Sequence, residues 1–131
     1  RNERLKAAVD RMQSDLDSAE KEFEGKSSES ARAALDSLFH TAKESGLLSE
    51  FFMFVFAYHY LPDSDNPILD AILDKWIEYS PESMNAHRMR ADLYCRRGLN
   101  NQAILWYQKV LKLDPRNSHV LRKLEELKNE K

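Results

Sequence analysis

Residues 84–117 read MNAHRMRADLYCRRGLNNQAILWYQKVLKLDPRN, and the spacing inside this stretch decides the fold. Ala91-x2-Tyr94 lies in its first half and Ala103-x3-Tyr107 in its second, with Gly98 between them and Pro115 near the end. A small residue lets two helices approach closely, an aromatic one turn away fills the neighbouring groove, and a late proline forbids the helix from continuing. The stretch therefore predicts two helices, about Met84–Arg97 and Asn101–Leu113, folded on each other as a hairpin.

The same pattern recurs at an interval of 34 residues. Ser49, Ser83 and Asn117 stand at that interval, and each is a residue type whose side chain caps a helix start. Ala57-x2-Tyr60 matches Ala91-x2-Tyr94, Leu69 and Leu73 stand opposite Ala103 and Tyr107, Ile77 opposite Leu111, and Pro81 opposite Pro115. One interval further back, Leu35, Phe39 and Ala42 fall opposite Leu69, Leu73 and Trp76. A hairpin built this way leaves one apolar face open, and the next repeat covers it.

Working outward, helical periodicity accounts for the rest of the chain. A first helix over residues 3–24 spaces Leu5, Val9, Met12, Leu16, Ala19 and Phe23 alternately four and three apart, the period of a seam packed against another helix, and Gly25-Lys26-Ser27-Ser28 breaks it. A second runs from Glu29 to Ser45 and stops at Gly46. A third starts after Ser49 and ends before Pro62, and a fourth opens with Asn66-Pro67, a cap followed by proline at the first helical position. The seventh spans Ser118–Asn129. Connections are short and no strand pattern competes, so the expectation is an all-α chain of about seven helices, antiparallel hairpins stacked in one domain over residues 1–131. Within it, residues 1–48 form an N-terminal hairpin, 49–117 two repeats and 118–131 a capping helix.

These motifs resemble the tetratricopeptide repeat, W-x2-L-G-x2-Y followed by A-x3-F and P. Residues 84–117 are the closest copy, with His87 and Arg90 where Trp and Leu are expected; residues 50–83 are a weaker one, in which Leu69-x3-Leu73 replaces the small–aromatic pair. Residues 29–45 look like the second helix of a degenerate repeat, and residues 118–129 like the helix that caps the last one. The likeness covers about two thirds of the chain. The pentatricopeptide family, which reads RNA, has a repeat one residue longer and lacks the proline. The resemblance implies a short right-handed superhelix whose first helices line a concave groove for a protein or peptide partner. On that geometry the partner-binding positions are Phe51, Phe54, Tyr58, Asn85, Arg88, Met89, Asp92, His119, Arg122 and Lys123, with Val55 and Glu126 at equivalent places. One subgroup of the family grips a C-terminal carboxylate with Lys and Asn, but Asp92, Phe54 and Tyr58 stand where that clamp needs them, and Asp92 would repel the carboxylate. The alternative is that Phe51, Phe54 and Tyr58 are core, covered by neighbouring helices.

Composition narrows the function. Hydrophobic residues make up 42% and charged ones 32% of 131 residues, with only 3 Gly and 4 Pro, a mixture that suits amphipathic helices. The formal net charge of -2 gives no overall signature for nucleic acid. The charge is nonetheless divided: Lys/Arg against Asp/Glu is 9 to 16 over residues 1–80 and 11 to 6 over 81–131. The basic end offers a minor alternative, nucleic-acid binding by Arg88, Arg96, Arg97, Arg116, Arg122 and Lys123 with Tyr94 and Trp106 nearby, but Asp92, Glu125 and Glu126 interrupt it and no aromatic stacking row is evident. A second alternative is oligomerisation through the first helix, by self-association along residues 5–23. Its acidic residues, Asp15, Asp17, Glu20, Glu22 and Glu24, would repel in a parallel pair. Packing against the second and third helices of its own chain is the preferred use of that seam.

No catalytic, cofactor or metal site is expected. His40, His59, His87 and His119 lie on different helices without the i, i+4 spacing of a helical metal site, Cys95 stands alone, and Gly25, Gly46 and Gly98 are too scattered for a phosphate loop. Phe51–Leu61, the one long apolar run, is about half of a membrane span. A soluble domain, with the cytoplasm favoured, is the expectation. Because residue 1 is Arg rather than Met, a processed product or a fragment of a longer chain is expected, with room for a signal or anchor upstream.

Overall fold

The structure, a computed structural model, describes residues 2–24 and 28–129. Of the break expected at Gly25-Lys26-Ser27-Ser28, the first three residues lie outside them, and Ser28 opens the second helix instead. Seven α-helices follow in order: α1 Asn2–Glu24, α2 Ser28–Glu44, α3 Glu50–Tyr60, α4 Pro67–Tyr79, α5 Met84–Arg96, α6 Asn100–Leu113 and α7 Ser118–Asn129. Among the described residues there is no strand, and no helix is long and apolar enough to cross a membrane.

Local chemistry sets the boundaries. The side chains of Ser49 and Ser83 accept the backbone N–H groups of Phe52 and Ala86, and Asn117 Oδ1 accepts that of Val120, so all three residues of the 34-residue interval cap a helix in the same way. Asn66 accepts from Ile68 N ahead of Pro67. Two helices end alike at a glycine in the left-handed region, Gly46 (φ 71°) after α2 and Gly98 (φ 73°) after α5. In each, the glycine N–H and the following N–H turn back to bond carbonyls of the last turn: Gly46 to Lys43 and Leu47 to Ala42, Gly98 to Cys95 and Leu99 to Tyr94.

The helices enclose two apolar clusters. The larger gathers residues of α1 to α4, with Phe39, Ile72 and Trp76 fully buried, and takes Ala86, Met89 and Leu93 from α5. The smaller joins Ala91 on the other side of α5 to Ala103, Tyr107 and Val110 of α6 and Val120, Leu124 and Leu127 of α7. Thus α5 has an apolar face on either side and links the two clusters. Helix α1 pairs extensively with α2, and α5 with α6, while α4 packs against α2, α3, α5 and α1. The seam of α1 is only partly used: Met12 and Ala19 are buried and Leu16 and Phe23 pack on the cluster, but Leu5 and Val9 are about half exposed (45% and 50%).

Where the repeat pattern wants Trp and Leu, His87 and Arg90 are buried with polar partners. His87 Nδ1 lies 2.7 Å from the Ser83 carbonyl. The Arg90 guanidinium donates to Asp70 (3.2 Å) and Asp74 of α4 and lies 5.7 Å above the Trp106 ring of α6. Asp70 also accepts two bonds from Arg97 (3.0 and 2.7 Å), whose Nε bonds the Ser64 carbonyl. Burying a guanidinium needs such pairing, because an unpartnered charge in the interior costs several kcal/mol. The network ties the α4 face of one cluster to the α6 face of the other.

A candidate docking groove between α1 and α3

Helix α3, EFFMFVFAYHY, has no polar face after its first residue. A helix that is apolar all round is ordinarily buried all round. Here Met53, Ala57 and Tyr60, at helical spacing, face the core, and Phe52, Phe54 and Phe56 pack partly against it. Phe56 is ringed by Phe39, Phe52 and Tyr60 at centroid distances of 5.9, 5.9 and 6.0 Å. The remaining residues face outward: Phe51 is 77% exposed, Tyr58 58% and Val55 49%.

Beside this face, α1 and α3 stand apart and leave an open groove of about 650 Å³. Val9, Met12 and Leu16 of α1 form one wall, Phe51, Phe52, Val55 and Phe56 of α3 the other, with Leu38 and Leu47 also lining it. Its polar lining is confined to Gln13, Ser49 and His59. The two helices come together at their C-terminal ends, where Tyr60 OH donates to Glu20. Burial, the Glu20 hydrogen bond and the charges of Glu20 and Asp17 raise the Tyr60 pKa well above the ordinary tyrosine value, so the phenol stays protonated and remains a donor. Past this closure lies a second hollow of about 530 Å³ lined by Glu20, Phe23, Glu24, His59, Tyr60, Asp63, Asp65, Asn66 and Pro67. His59 borders both hollows, so the acidic one adjoins the apolar groove.

The ten positions named from the sequence fall into three groups. Phe51 lines this groove; Phe54 and Tyr58 stack on each other at 5.8 Å elsewhere on α3, Phe54 partly buried and Tyr58 exposed. On α5, Asn85 and Arg88 are half-buried, Met89 is 3% exposed and belongs to the core, and Asp92 is engaged internally as the acceptor of Tyr107 OH. Arg88 Nε is buried without a hydrogen-bond partner. On α7, His119 and Arg122 are exposed and Lys123 Nζ lies 3.8 Å from Glu126. Neither hollow brings the α3 residues together with those of α5 and α7. The α1 wall was missing from the sequence-derived site; the signal for it was the seam itself, whose Leu5 and Val9 exceed what α2 covers.

Among the described residues no three His, Cys, Asp or Glu side chains gather in an arrangement that could hold a metal ion. Cys95 is half-buried with its Sγ 3.8 Å from Tyr107 OH. No protein-family model matches the chain, and neither a curated protein nor a solved structure matches it significantly.

Proposed function

We propose that this chain is a protein-interaction module that receives large apolar side chains of a partner in the groove between α1 and α3. The observation that carries this is the state of α3: a helix without a polar face holds Phe51 and Val55 in solvent along an open trough of about 650 Å³. Each Å² of such surface removed from water is worth about 25 cal/mol, so a partner that covers it is favoured without any charged contact. The trough has no set of converging polar groups of the kind that orients a small molecule. Its shape and chemistry instead suit one or two apolar anchors from a helix or an extended segment.

Repeated capping at Ser49, Ser83 and Asn117, and the 34-residue recurrence behind it, support reading residues 49–117 as two divergent tetratricopeptide repeats with α7 as their cap. On this proposal the binding surface is the outer face of α3 with α1, rather than a groove continued across α5 and α7. A second reading, self-association, is favoured by the exposure of Leu5 and Val9 on the α1 seam.

Affinity capture with the intact chain and with Phe51→Asp, followed by identification of the bound proteins, tests the proposal. Partners held by the groove are lost with the variant while its circular dichroism and melting temperature stay those of the wild type. An unchanged set of captured proteins sinks it.

A further inference from the structure

The chemistry of the groove's two ends specifies its occupant more closely. We propose that the segment bound there is an amphipathic helix with an apolar stripe about two turns long and lysine or arginine flanking it, seated with a basic end at Glu20, Glu24, Asp63 and Asp65. This rests on the groove being the docking site, as proposed above.

Two observations converge on it. First, the apolar wall of α3 runs from Phe51 to His59, which at 1.5 Å per residue is about 12 Å, or roughly two helical turns. Second, the acidic hollow adjoins that wall, with His59 lining both, and among the described residues no Lys or Arg forms an ion pair within 4 Å with Glu20, Glu24 or Asp63. Asp65 lies within the electrostatic reach of Arg97. Apolar trough and acidic end together favour a cationic amphipathic helix over a neutral or acidic one.

A second copy of this chain fits less well. If it docked through Leu5 and Val9 of α1, helical spacing would place Arg4 and Arg11 on the opposite side of α1 from Val9 and Gln13, leaving Lys6 as the cation on the docking side. The rest of that side carries Asp17, Glu20 and Glu24, which would meet like charges in a parallel pair.

Two dye-labelled synthetic helices of about sixteen residues test this by fluorescence anisotropy against the whole chain. They share one leucine stripe and differ in their flanks, lysines at both ends in one and glutamates in the other. The expected result is roughly tenfold tighter binding of the lysine peptide at low salt, a ratio equivalent to about 1.4 kcal/mol, shrinking as salt is added. Glu24→Lys with Asp63→Lys, which leaves the Tyr60–Glu20 bond untouched, removes or inverts the preference, and Phe51→Asp abolishes binding of both peptides. Equal binding of the two peptides, lost together in Phe51→Asp, overturns the charge inference and leaves the groove standing. Absence of binding by either peptide, with Phe51→Asp still capturing the wild-type partners, overturns both. Sedimentation of the chain alone supplies the last arm: a dimer that Phe51→Asp dissociates makes a second copy the occupant and overturns the inference.

Discussion

The α5–α6 hairpin closes on Ala91 and Ala103, both at zero exposure, with Tyr107 buried beside them; thirty-four residues earlier, α3 and α4 meet through Ala57, Leu69 and Leu73, and α3 keeps Phe51, Val55 and Tyr58 in solvent. Helices α5 and α6 pair far more extensively than α3 and α4 do. The contrast shows how one repeat register supports two outcomes. Small residues on both sides of the later hairpin bring the helices together, and His87, Arg90 and Asp92 of α5 find polar partners within the fold. In the earlier hairpin, leucine stands where alanine does later, α4 is drawn into the α1–α2 pair as well, and α3 is left with more apolar surface than its neighbours cover. Large, fully buried side chains are concentrated on α4. Apolar surface is left in solvent where α3 is uncovered.

The sharpest way to break that comparison is at the tryptophans, one in each half. Trp76 is fully buried and its Nε1 donates to Glu50 at 3.0 Å, whereas Trp106 is half-buried between Arg90 and Lys109. Trp76→Ala is expected to cost about 3–5 kcal/mol in urea unfolding. Trp106→Ala costs less than half of that, because part of its surface is already in water. Equal losses would mean that the two clusters contribute alike and that α4 is not the centre of the structure.

Next in size is the register itself. Ala103→Leu places at the later hairpin the residue that Leu69 supplies to the earlier one, and overpacking a site already at zero exposure is expected to cost about 1–3 kcal/mol. A melting temperature unchanged by the substitution would show that close approach at Ala103 is not what seals α5 to α6.

How far the sequence anticipates all this depends on the range of the interaction. Caps at Ser49, Asn66, Ser83 and Asn117 and stops at Gly46 and Gly98 are legible because donor and acceptor lie within a few residues of one another. Helix number and bounds follow from the same signals and from apolar period. Arg90 is different: at a position where an apolar residue is expected, its burial makes sense only with Asp70 and Asp74 of α4 and Trp106 of α6 in place. The candidate site is harder still. Phe51 and Tyr58 are readable as surface residues only once the width between α1 and α3 is known, and Met89 and Asp92 are withdrawn from the surface by the core and by Tyr107. Spacing along a helix gives a face, but not what stands opposite it.

Each half also holds one buried tyrosine that donates to a carboxylate, Tyr60 to Glu20 and Tyr107 to Asp92. Burial is the first cause of the raised pKa in both, with the hydrogen-bonded acid second. Unfolded tyrosine loses its proton near pH 10, while the folded protein holds both protons beyond that point. Above pH 10 the unfolded state therefore binds fewer protons, and stability falls as pH rises, by at most about 1.4 kcal/mol per pH unit for each tyrosine. Below pH 10 the contribution is fully present. Tyr60→Phe and Tyr107→Phe should each flatten this alkaline decline by its own share in urea titrations, and a decline that survives the double substitution assigns it to other groups.

The smallest expected effect on stability is at Phe51, and that smallness is its meaning. A phenylalanine in a core costs about 3–5 kcal/mol when truncated, but Phe51 is 77% exposed and gives up little burial on losing its ring. Phe51→Ser is therefore expected to move the unfolding free energy by less than about 0.5 kcal/mol. Phe52→Ser, one residue on and partly buried against Phe56 at 5.9 Å, should cost clearly more. This pair separates a face kept for a partner from a face that holds the fold. Were Phe51→Ser to cost several kcal/mol, Phe51 would be core, and the uncovered side of α3 would no longer distinguish the first half of the molecule from the second. Were both substitutions neutral, the ring cluster around Phe56 would carry no stability. Should only Phe52→Ser destabilise, the surface most open to water on α3 is one the protein does not need for folding, which is the property a docking face requires.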